Sequence, residues 1–339
     1  MSDKVKQLAP AIWEEIQKAK KILLHCHPNP DPDSIGSSLA LYLMLKNMGK
    51  DATIIYGDSK KKTQYEFIPG FDEILEKNFS EINPKNFDLF IACDSAGLEQ
   101  ISNRAKVEFP QGLKVINIDH HQTNTNYGHI NLIETNSPAT AQIIYELMQE
   151  WKVKITKDMA TNLFLGIYTD TGGFKYPKTS SETFLIASQL VKIAPDFSGA
   201  VFNLENSLEP QQFAYLQLAL NSLEHYFGDR VALCANSYED LKKNSIEARH
   251  TEKMEVSNLL KSVIGWDIGI AFTELDKGYC NVSLRTRDST KYDLSKLAKA
   301  IGGGGHAAAA GGRIKLPFDQ AKKLLLEKIK ETFPELGNP

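Results

Sequence analysis

Cysteine is scarce in this 339-residue chain: Cys26, Cys93, Cys234 and Cys280 lie far apart, and none belongs to a CxxC pair. Their strand-like apolar surroundings read as buried, reduced thiols, the state expected in the cytosol. Long apolar runs are missing as well. Nothing approaches the ~18 uninterrupted apolar residues of a membrane span, and the opening Met1-Ser2-Asp3-Lys4-Val5-Lys6 is polar. Neither a signal peptide nor a membrane partner is therefore expected, and the chain reads as cytoplasmic. No sign of charge dominates: 39 Lys and Arg face 42 Asp and Glu, a net charge of -3 with a pI near 6.3. The basic clusters Lys60-Lys61-Lys62, Lys242-Lys243 and Lys322-Lys323 are short. That balance gives no general attraction for long polyanions, so any nucleic-acid partner is expected to be small or gripped at one end. Internal repeats are lacking, and the single low-complexity stretch is 302–312.

What is present is an ordinary globular composition, 42% hydrophobic and 24% charged, in a chain long enough for two cores. In the N-terminal half, short apolar runs alternate with helical patterns, which predicts an α/β fold with a parallel sheet and crossover helices. Candidate strands are 21–26, 52–56, 88–93 and 114–118; candidate helices are 34–48, 137–151 and 158–168. Met159, Leu163 and Ile167 recur every four residues, the spacing of a buried helix face. A mostly helical stretch follows over 178–227, interrupted at Ala194-Pro195-Asp196 and Glu209-Pro210. Beyond it the pattern predicts a smaller α+β unit. Its strands are expected at 230–235, 266–273, 279–286 and 313–316, its helices near 253–262, 294–301 and 319–333, and a frayed tail at 334–339. The implied division is 1–190, a helical connector 191–228, and 229–339.

In open parallel sheets, ligands bind beyond the carboxyl ends of the strands. Acids and imidazoles recur at those ends here. His27, Asp31 and Asp33 follow Lys21-Ile22-Leu23-Leu24, and Asp94 follows Leu89-Phe90-Ile91-Ala92-Cys93. Asp119-His120-His121 follows Val115-Ile116-Asn117-Ile118, and Asp170 lies just past the helix that ends Leu165-Gly166-Ile167-Tyr168. Each has a plain structural reading too. Asp31 and Asp33 could form a turn stiffened by Pro30 and Pro32, Asp94 could end an apolar strand, the histidine pair could be structural, and Asp170 could mark a helix exit. In combination they gather metal-ligand residue types at one rim, in the order and strand-end context of one known constellation. The amides of the helix starting near Ser34, and the bare Gly36, offer room for phosphate oxygens.

The constellation resembles the DHH phosphoesterase superfamily, which includes RecJ-like enzymes and hydrolyses phosphate esters with two divalent metals. The resemblance implies that 1–190 is a DHH catalytic domain, with His27, Asp31 and Asp94 holding one ion and Asp33, Asp94, His120 and Asp170 the other. Asp94 would bridge. Four carboxylates then balance two dications, which relieves the mutual repulsion of acids packed in one crevice. Asp119 is expected to orient a ligand imidazole, and His121 to contact the reacting phosphate and protonate the leaving oxygen. Mixed imidazole and carboxylate ligation favours manganese, ahead of cobalt, iron, zinc or magnesium. Such ions lower the pKa of water from ~15.7 to ~7, which supplies a nucleophile at neutral pH without a covalent intermediate.

Two further features stand in the C-terminal unit. Gly302-Gly303-Gly304-Gly305-His306 fits either a flexible linker or an anion-binding nest of glycine amides. In Asn281-Val282-Ser283-Leu284-Arg285-Thr286-Arg287, alternation puts Val282 and Leu284 on one face and Ser283, Arg285 and Arg287 on the other. Arg285 is then an exposed edge-strand arginine or a phosphate fork. Both features resemble the DHH-associated domain, which implies that 229–339 binds substrate through Arg285, Gly304, Gly305 and His306.

Within the superfamily the Pro30-Asp31-Pro32-Asp33 turn is most similar to the NrnA-type nanoRNases and 3'-phosphoadenosine 5'-phosphate phosphatases. Ala307 and Ala308 replace bulkier residues after the loop histidine, which leaves base contacts open. The implied activity is hydrolysis of short RNA oligonucleotides or linear dinucleotides to mononucleotides, with 3'-phosphoadenosine 5'-phosphate as a further substrate. Alternatives are a cyclic-dinucleotide phosphodiesterase, a single-strand exonuclease, a pyrophosphatase, or a nucleotide-binding regulatory module without catalysis. Nothing in the periodicity separates an oligomer interface from internal packing.

Overall fold

The computed structural model describes residues 2–251 and 254–337. Two compact units divide at Ser207 and Leu208, inside the stretch expected to be a helical connector.

In the first unit, α1 (Asp3–Lys18) starts at Ser2, whose hydroxyl accepts the Val5 amide at 3.2 Å, and buries Val5, Ala9, Ile12 and Ile16 along one face. The strands are β1 (Lys21–His25), β2 (Asp51–Ile55), β3 (Leu89–Cys93), β4 (Lys114–Asp119) and β5 (Ile130–Ile133). They form one parallel sheet in the order β2-β1-β3-β4-β5. The expected parallel α/β architecture is thus present. Strand β3 is buried at every residue, as a sheet covered on both faces requires. Strand order reverses between β1 and β3, so the chain leaves those two neighbouring strands in opposite lateral directions and opens a crevice at their carboxyl ends.

Helix α2 (Pro32–Asn47) begins two residues earlier than the sequence pattern indicates. Pro32 has a φ suited to the first helical position, and Asp31 Oδ1 accepts the Asp33 and Ser34 amides at 3.0 Å each. Asp33 is therefore on the helix, not in the turn. Helix α3 (Thr140–Glu150) starts three residues later than expected, because Pro138 keeps Ser137 out of helical angles. Helix α4 (Lys157–Asp170) runs two residues further than expected, so Asp170 is its last residue, not one past its end.

Helices α2 and α4 touch backbone to backbone. A Cβ on Gly36 would lie 2.3 Å from the Asn162 carbonyl oxygen, and one on Gly166 would lie 2.7 Å from both Ala141 Cβ and Asp33 Oδ1. That contact brings Asp33 beside Asp170. Helices α5 (Ser181–Ile193) and α6 (Phe197–Glu205) complete the unit.

The second unit opens with α7 (Pro210–Asn221), but the supposed connector then ends in a strand, β6 (Leu223–Tyr226). Positive φ at Phe227, Gly228 and Asp229 turns the chain tightly into β7 (Val231–Asn236), which supplies the pairing partner. Helices α8 (Tyr238–Lys243), α9 (Ala248–Thr251) and α10 (Val256–Lys261) lead to β8 (Ile268–Asp276) and β9 (Tyr279–Thr286). Lys253, where a helix was expected to start, lies outside the described residues.

After α11 (Leu294–Ala300) come β10 (Gly304–Gly305), β11 (Ala309–Ile314) and α12 (Phe318–Thr332). The sheet order is β10-β11-β9-β8-β7-β6, mixed because β7 and β8 are parallel. The alanine and glycine run expected to be a loop before residue 313 is strand β11 itself, held by pairing with β9 from Ala309 opposite Arg285 to Ile314 opposite Cys280. Strand β9 is thus interior to the sheet, not an edge. Val282 and Leu284 join the core with Phe272, Leu297 and Leu325. Leu336 is buried, so the described part of the tail packs and does not fray; residues 338–339 lie outside the described part. All four cysteines are free and buried.

Because the Gly36 contact is with rigid backbone, Gly36→Ala is expected to destabilise the protein by about 1–3 kcal/mol. Chemical denaturation reads this directly, and an unchanged midpoint would contradict the close helix contact.

Candidate metal centre

The crevice gathers side chains from five segments. Directly after β1, the His27 ring places Nδ1 3.0 Å from the Pro28 carbonyl, which can only accept, so neutral His27 carries its proton on Nδ1. Its Nε2 faces Asp94 Oδ2 at 3.4 Å and Asp31 Oδ2 at 3.9 Å. Asp31 uses its other oxygen as the N-cap of α2 and stays partly open to solvent.

Directly after β3, Asp94 adopts φ 54°, a left-handed backbone that a non-glycine residue holds only when its surroundings fix it. It is buried and sits among three imidazoles: His27, His120 Nε2 at 3.5 Å and His121 Nδ1 at 3.6 Å. His120 Nε2 also lies 3.2 Å from Asp170 Oδ2. Asp33, His120 and Asp170 can aim ligand atoms at one point, as can His27, Asp31 and Asp94. The six residues expected to bind metal are thus brought together.

Asp119 departs from its expected part. Its Oδ1 accepts His121 Nδ1 at 2.7 Å and the His120 backbone amide at 2.8 Å, while its Oδ2 accepts Asn124 Nδ2 at 2.6 Å. The imidazole it orients is that of His121, not the ring of His120. With Nδ1–H donated to Asp119, His121 presents Nε2 away from Asp119 on a ring that is 37% exposed. Asn124 and Thr140 escape sequence reading. Thr140 donates its amide to Asp33 Oδ2 at 2.7 Å and its hydroxyl to Asp94 Oδ1 at 3.1 Å, and Ala141 donates its amide to Asp33 Oδ1 at 2.8 Å. Only the non-polar N-cap of α3, Ala139, hints that a capping oxygen must come from elsewhere.

The protonation states reflect crowding. Burial works against charging His27, but the Asp94 hydrogen bond and the Asp31 and Asp94 charges outweigh it and raise its pKa to about 9. Burial also opposes ionisation of Asp94, yet its hydrogen bond to His27 and the charges of three imidazoles bring it down to about 2. Burial, then the Asp94 and Asp170 charges, hold Asp33 well above the ordinary carboxylate range, against the pull of two α3 amides. Burial, then Asp31 and Asp94, do the same to Asp170. Such a site asks for a cation. His120 Nε2 is buried and makes no hydrogen bond although it points at two carboxylates, as a ligand nitrogen would. Oxygen and imidazole donors in these groups fit a divalent transition metal.

In the second unit, Arg285 is half-buried and donates to the Leu284 carbonyl at 2.9 Å. It lines a cavity of about 580 Å³ with Ser283, Arg313 and Gly302, Gly303, Gly304 and Gly305. Gly304 and Gly305 form the short strand β10, so the glycine segment is not a free loop. A Cβ on Gly303 would lie 2.0 Å from the Gly311 carbonyl oxygen, so the glycine permits close backbone approach. His306 is exposed and is not among the cavity's lining residues.

A parallel-sheet domain with acids and imidazoles at its switch point, followed by a mixed-sheet domain, defines a two-domain class. Residues 21–167 match the DHH family, N-terminal domain, and residues 245–335 match the DHHA1 domain, so the chain carries a DHH domain followed by a DHHA1 domain. It is 29% identical, over 97% of each chain, to the bifunctional oligoribonuclease and PAP phosphatase NrnA of Thermus thermophilus. It is 28% identical to the Bacillus subtilis protein of the same name, over 90% of this chain and 93% of that one. In fold it is similar to an exopolyphosphatase-related protein from Bacteroides fragilis, with a TM-score of 0.88 at 24% identity and 98% of each chain covered. No helix among the described residues is long and apolar enough to cross a membrane.

The raised groups fix a sign for pH dependence. Asp33 and Asp170 hold protons more tightly folded than unfolded, so their contribution falls as pH rises above the ordinary carboxylate value of 3.8 towards their raised values. His27 contributes fully below 6.5 and loses that contribution as pH rises through about 9. Both trends run the same way. The EDTA-treated protein is expected to melt at progressively lower temperature from pH 6 to 9. Saturating Mn²⁺, about a hundredfold above Kd, should restore about 2.7 kcal/mol per site. A flat melting profile with no Mn²⁺ response would contradict the charge balance.

Proposed function

We propose that this chain is a manganese-dependent phosphoesterase that hydrolyses short RNA oligomers or linear dinucleotides to mononucleotides and removes the 3'-phosphate of 3'-phosphoadenosine 5'-phosphate. The observation that carries the proposal is the convergence of His27, Asp31, Asp33, Asp94, His120 and Asp170 on two adjoining ligand groups that share one crevice. Its support is the likeness over nine tenths or more of the chain to proteins named for those two activities.

His27, Asp31 and Asp94 would hold one ion, and Asp33, Asp94, His120 and Asp170 the other, with charge balanced by four carboxylates. When bound, paired dications lower the pKa of water and neutralise charge on the phosphoryl group. The remaining work falls to side chains. Burial works against charging His121, but the Asp119 hydrogen bond and the Asp94 and Asp119 charges raise its pKa, and its Nε2 would deliver a proton to the leaving oxygen. Asp119 fixes that ring, and Asn124 fixes Asp119. In the second unit Arg285 provides a planar fork for a substrate phosphate, with the glycine strand lining the same cavity. Buried thiols and balanced charge support a cytoplasmic enzyme acting on small substrates.

The test is a panel of 3'-phosphoadenosine 5'-phosphate, dinucleotides, five-residue RNA, single-stranded DNA and pyrophosphate with Mn²⁺, ranked by kcat/KM. Short RNA or a linear dinucleotide is expected to lead; a preference for long DNA or pyrophosphate would overturn the reading. Asp94→Ala is expected to lower kcat/KM roughly a thousandfold, equivalent to ~4 kcal/mol of lost transition-state stabilisation. Arg285→Ala is expected to raise KM with kcat less affected, and an unchanged KM would remove Arg285 from substrate capture.

A further inference from the structure

Thr140 hydrogen-bonds carboxylates from two different elements of the centre. Its amide reaches Asp33 on α2, and its hydroxyl reaches Asp94 after β3. It is fully buried. The two oxygens of Asp94 have different neighbours. Oδ2 faces His27 Nε2 at 3.4 Å, whereas Oδ1 faces His120 Nε2 at 3.5 Å and takes the Thr140 hydroxyl at 3.1 Å. A carboxylate rotates easily about its terminal torsion, which is broad and twofold. A fixed hydroxyl donor on Oδ1 therefore biases which oxygen turns towards which group of ligands. The Thr140 hydroxyl is the donor in that bond, and a valine of the same shape could not replace it.

The amide bond adds a second constraint. Ala139 at the N-cap of α3 offers no capping oxygen, and Asp33 supplies one to Thr140 and another to Ala141. The start of α3 is thereby fixed to Asp33, and the hydroxyl at that start is fixed relative to Asp94. Asp33 and Asp94 would both hold the ion also held by His120 and Asp170, and Oδ1 is the Asp94 oxygen that faces His120, so Thr140 would serve that ion on two sides.

We infer that Thr140 is a positioning residue that orients Asp94 and Asp33 for the Asp33, His120 and Asp170 site, and that its hydroxyl is needed for that ion and not for the one at His27 and Asp31. The inference rests on the two-ion reading above. Partners that orient metal ligands typically contribute 10–100-fold in metal affinity.

Mn²⁺ titration of the EDTA-stripped full chain by calorimetry, with electron paramagnetic resonance for spin-coupled ion pairs, tests it. Wild type is expected to take up two equivalents with a coupled signal. Thr140→Val is expected to keep one tight equivalent, weaken the second at least ~10-fold and lose the coupled signal. Thr140→Ser is expected to restore both. Thr140→Ala is measured alongside, so that a misfolded valine variant still leaves alanine against serine. Two equivalents of wild-type affinity in the valine or alanine variant, or equal loss in serine and alanine, would overturn the role of the hydroxyl. Equal weakening of both ions would overturn its site selectivity. Absence of Mn²⁺ uptake by wild type would instead defeat the two-ion reading itself.

Discussion

One buried carboxylate organises the N-terminal unit. Asp94 lies within 3.4 to 3.6 Å of the imidazoles of His27, His120 and His121, and those contacts depend on the reversal of strand order between β1 and β3. Parallel pairing sets His25 beside Ala92, so the residues that follow leave the sheet side by side. Continuation of the pairing on β4 delivers Asp119 and the two histidines to the same rim. The left-handed backbone at Asp94 turns the chain as soon as β3 ends. Strain of that kind persists only where the surroundings over-determine it.

The second constraint is electrostatic. Four carboxylates in one buried crevice repel, and the fold offsets this with backbone donors as well as imidazoles. Asp31 accepts the first amides of α2, and Asp33 accepts the first amides of α3. Asp31 and Asp33 are thus each placed at the positive end of a helix, where negative charge is favoured. This is a partial answer, since Asp33 and Asp170 still hold their protons too tightly. The proposed pair of dications would complete the balance. The bare glycines at the contact of α2 with α4 belong to the same arrangement, because any side chain at Gly166 would press on Asp33.

Much of this was legible in the sequence, because a hard ligand directly after an apolar strand has few other reasons to recur. The parallel sheet, the separate smaller domain and the clustered acids and imidazoles all follow from that pattern. What was hidden depends on tertiary partners. Strand β6 has little strand character of its own and exists because β7 offers an edge. The alanines and glycines of β11 read as a loop until β9 pairs with them. Asp33 read as a turn residue, yet Pro32 carries the helix back past it. Asp119 was assigned to a ligand imidazole because chain proximity could not tell His120 from His121. Thr140 gave no signal, since its importance lies in two atoms more than forty residues away in sequence.

The most direct measurement is anomalous diffraction at the manganese edge from crystals grown with Mn²⁺. Two peaks are predicted, one within bonding distance of His27, Asp31 and Asp94, the other of Asp33, Asp94, His120 and Asp170, with Asp94 common to both. A lone peak, or peaks that leave Asp94 unligated, would contradict the account.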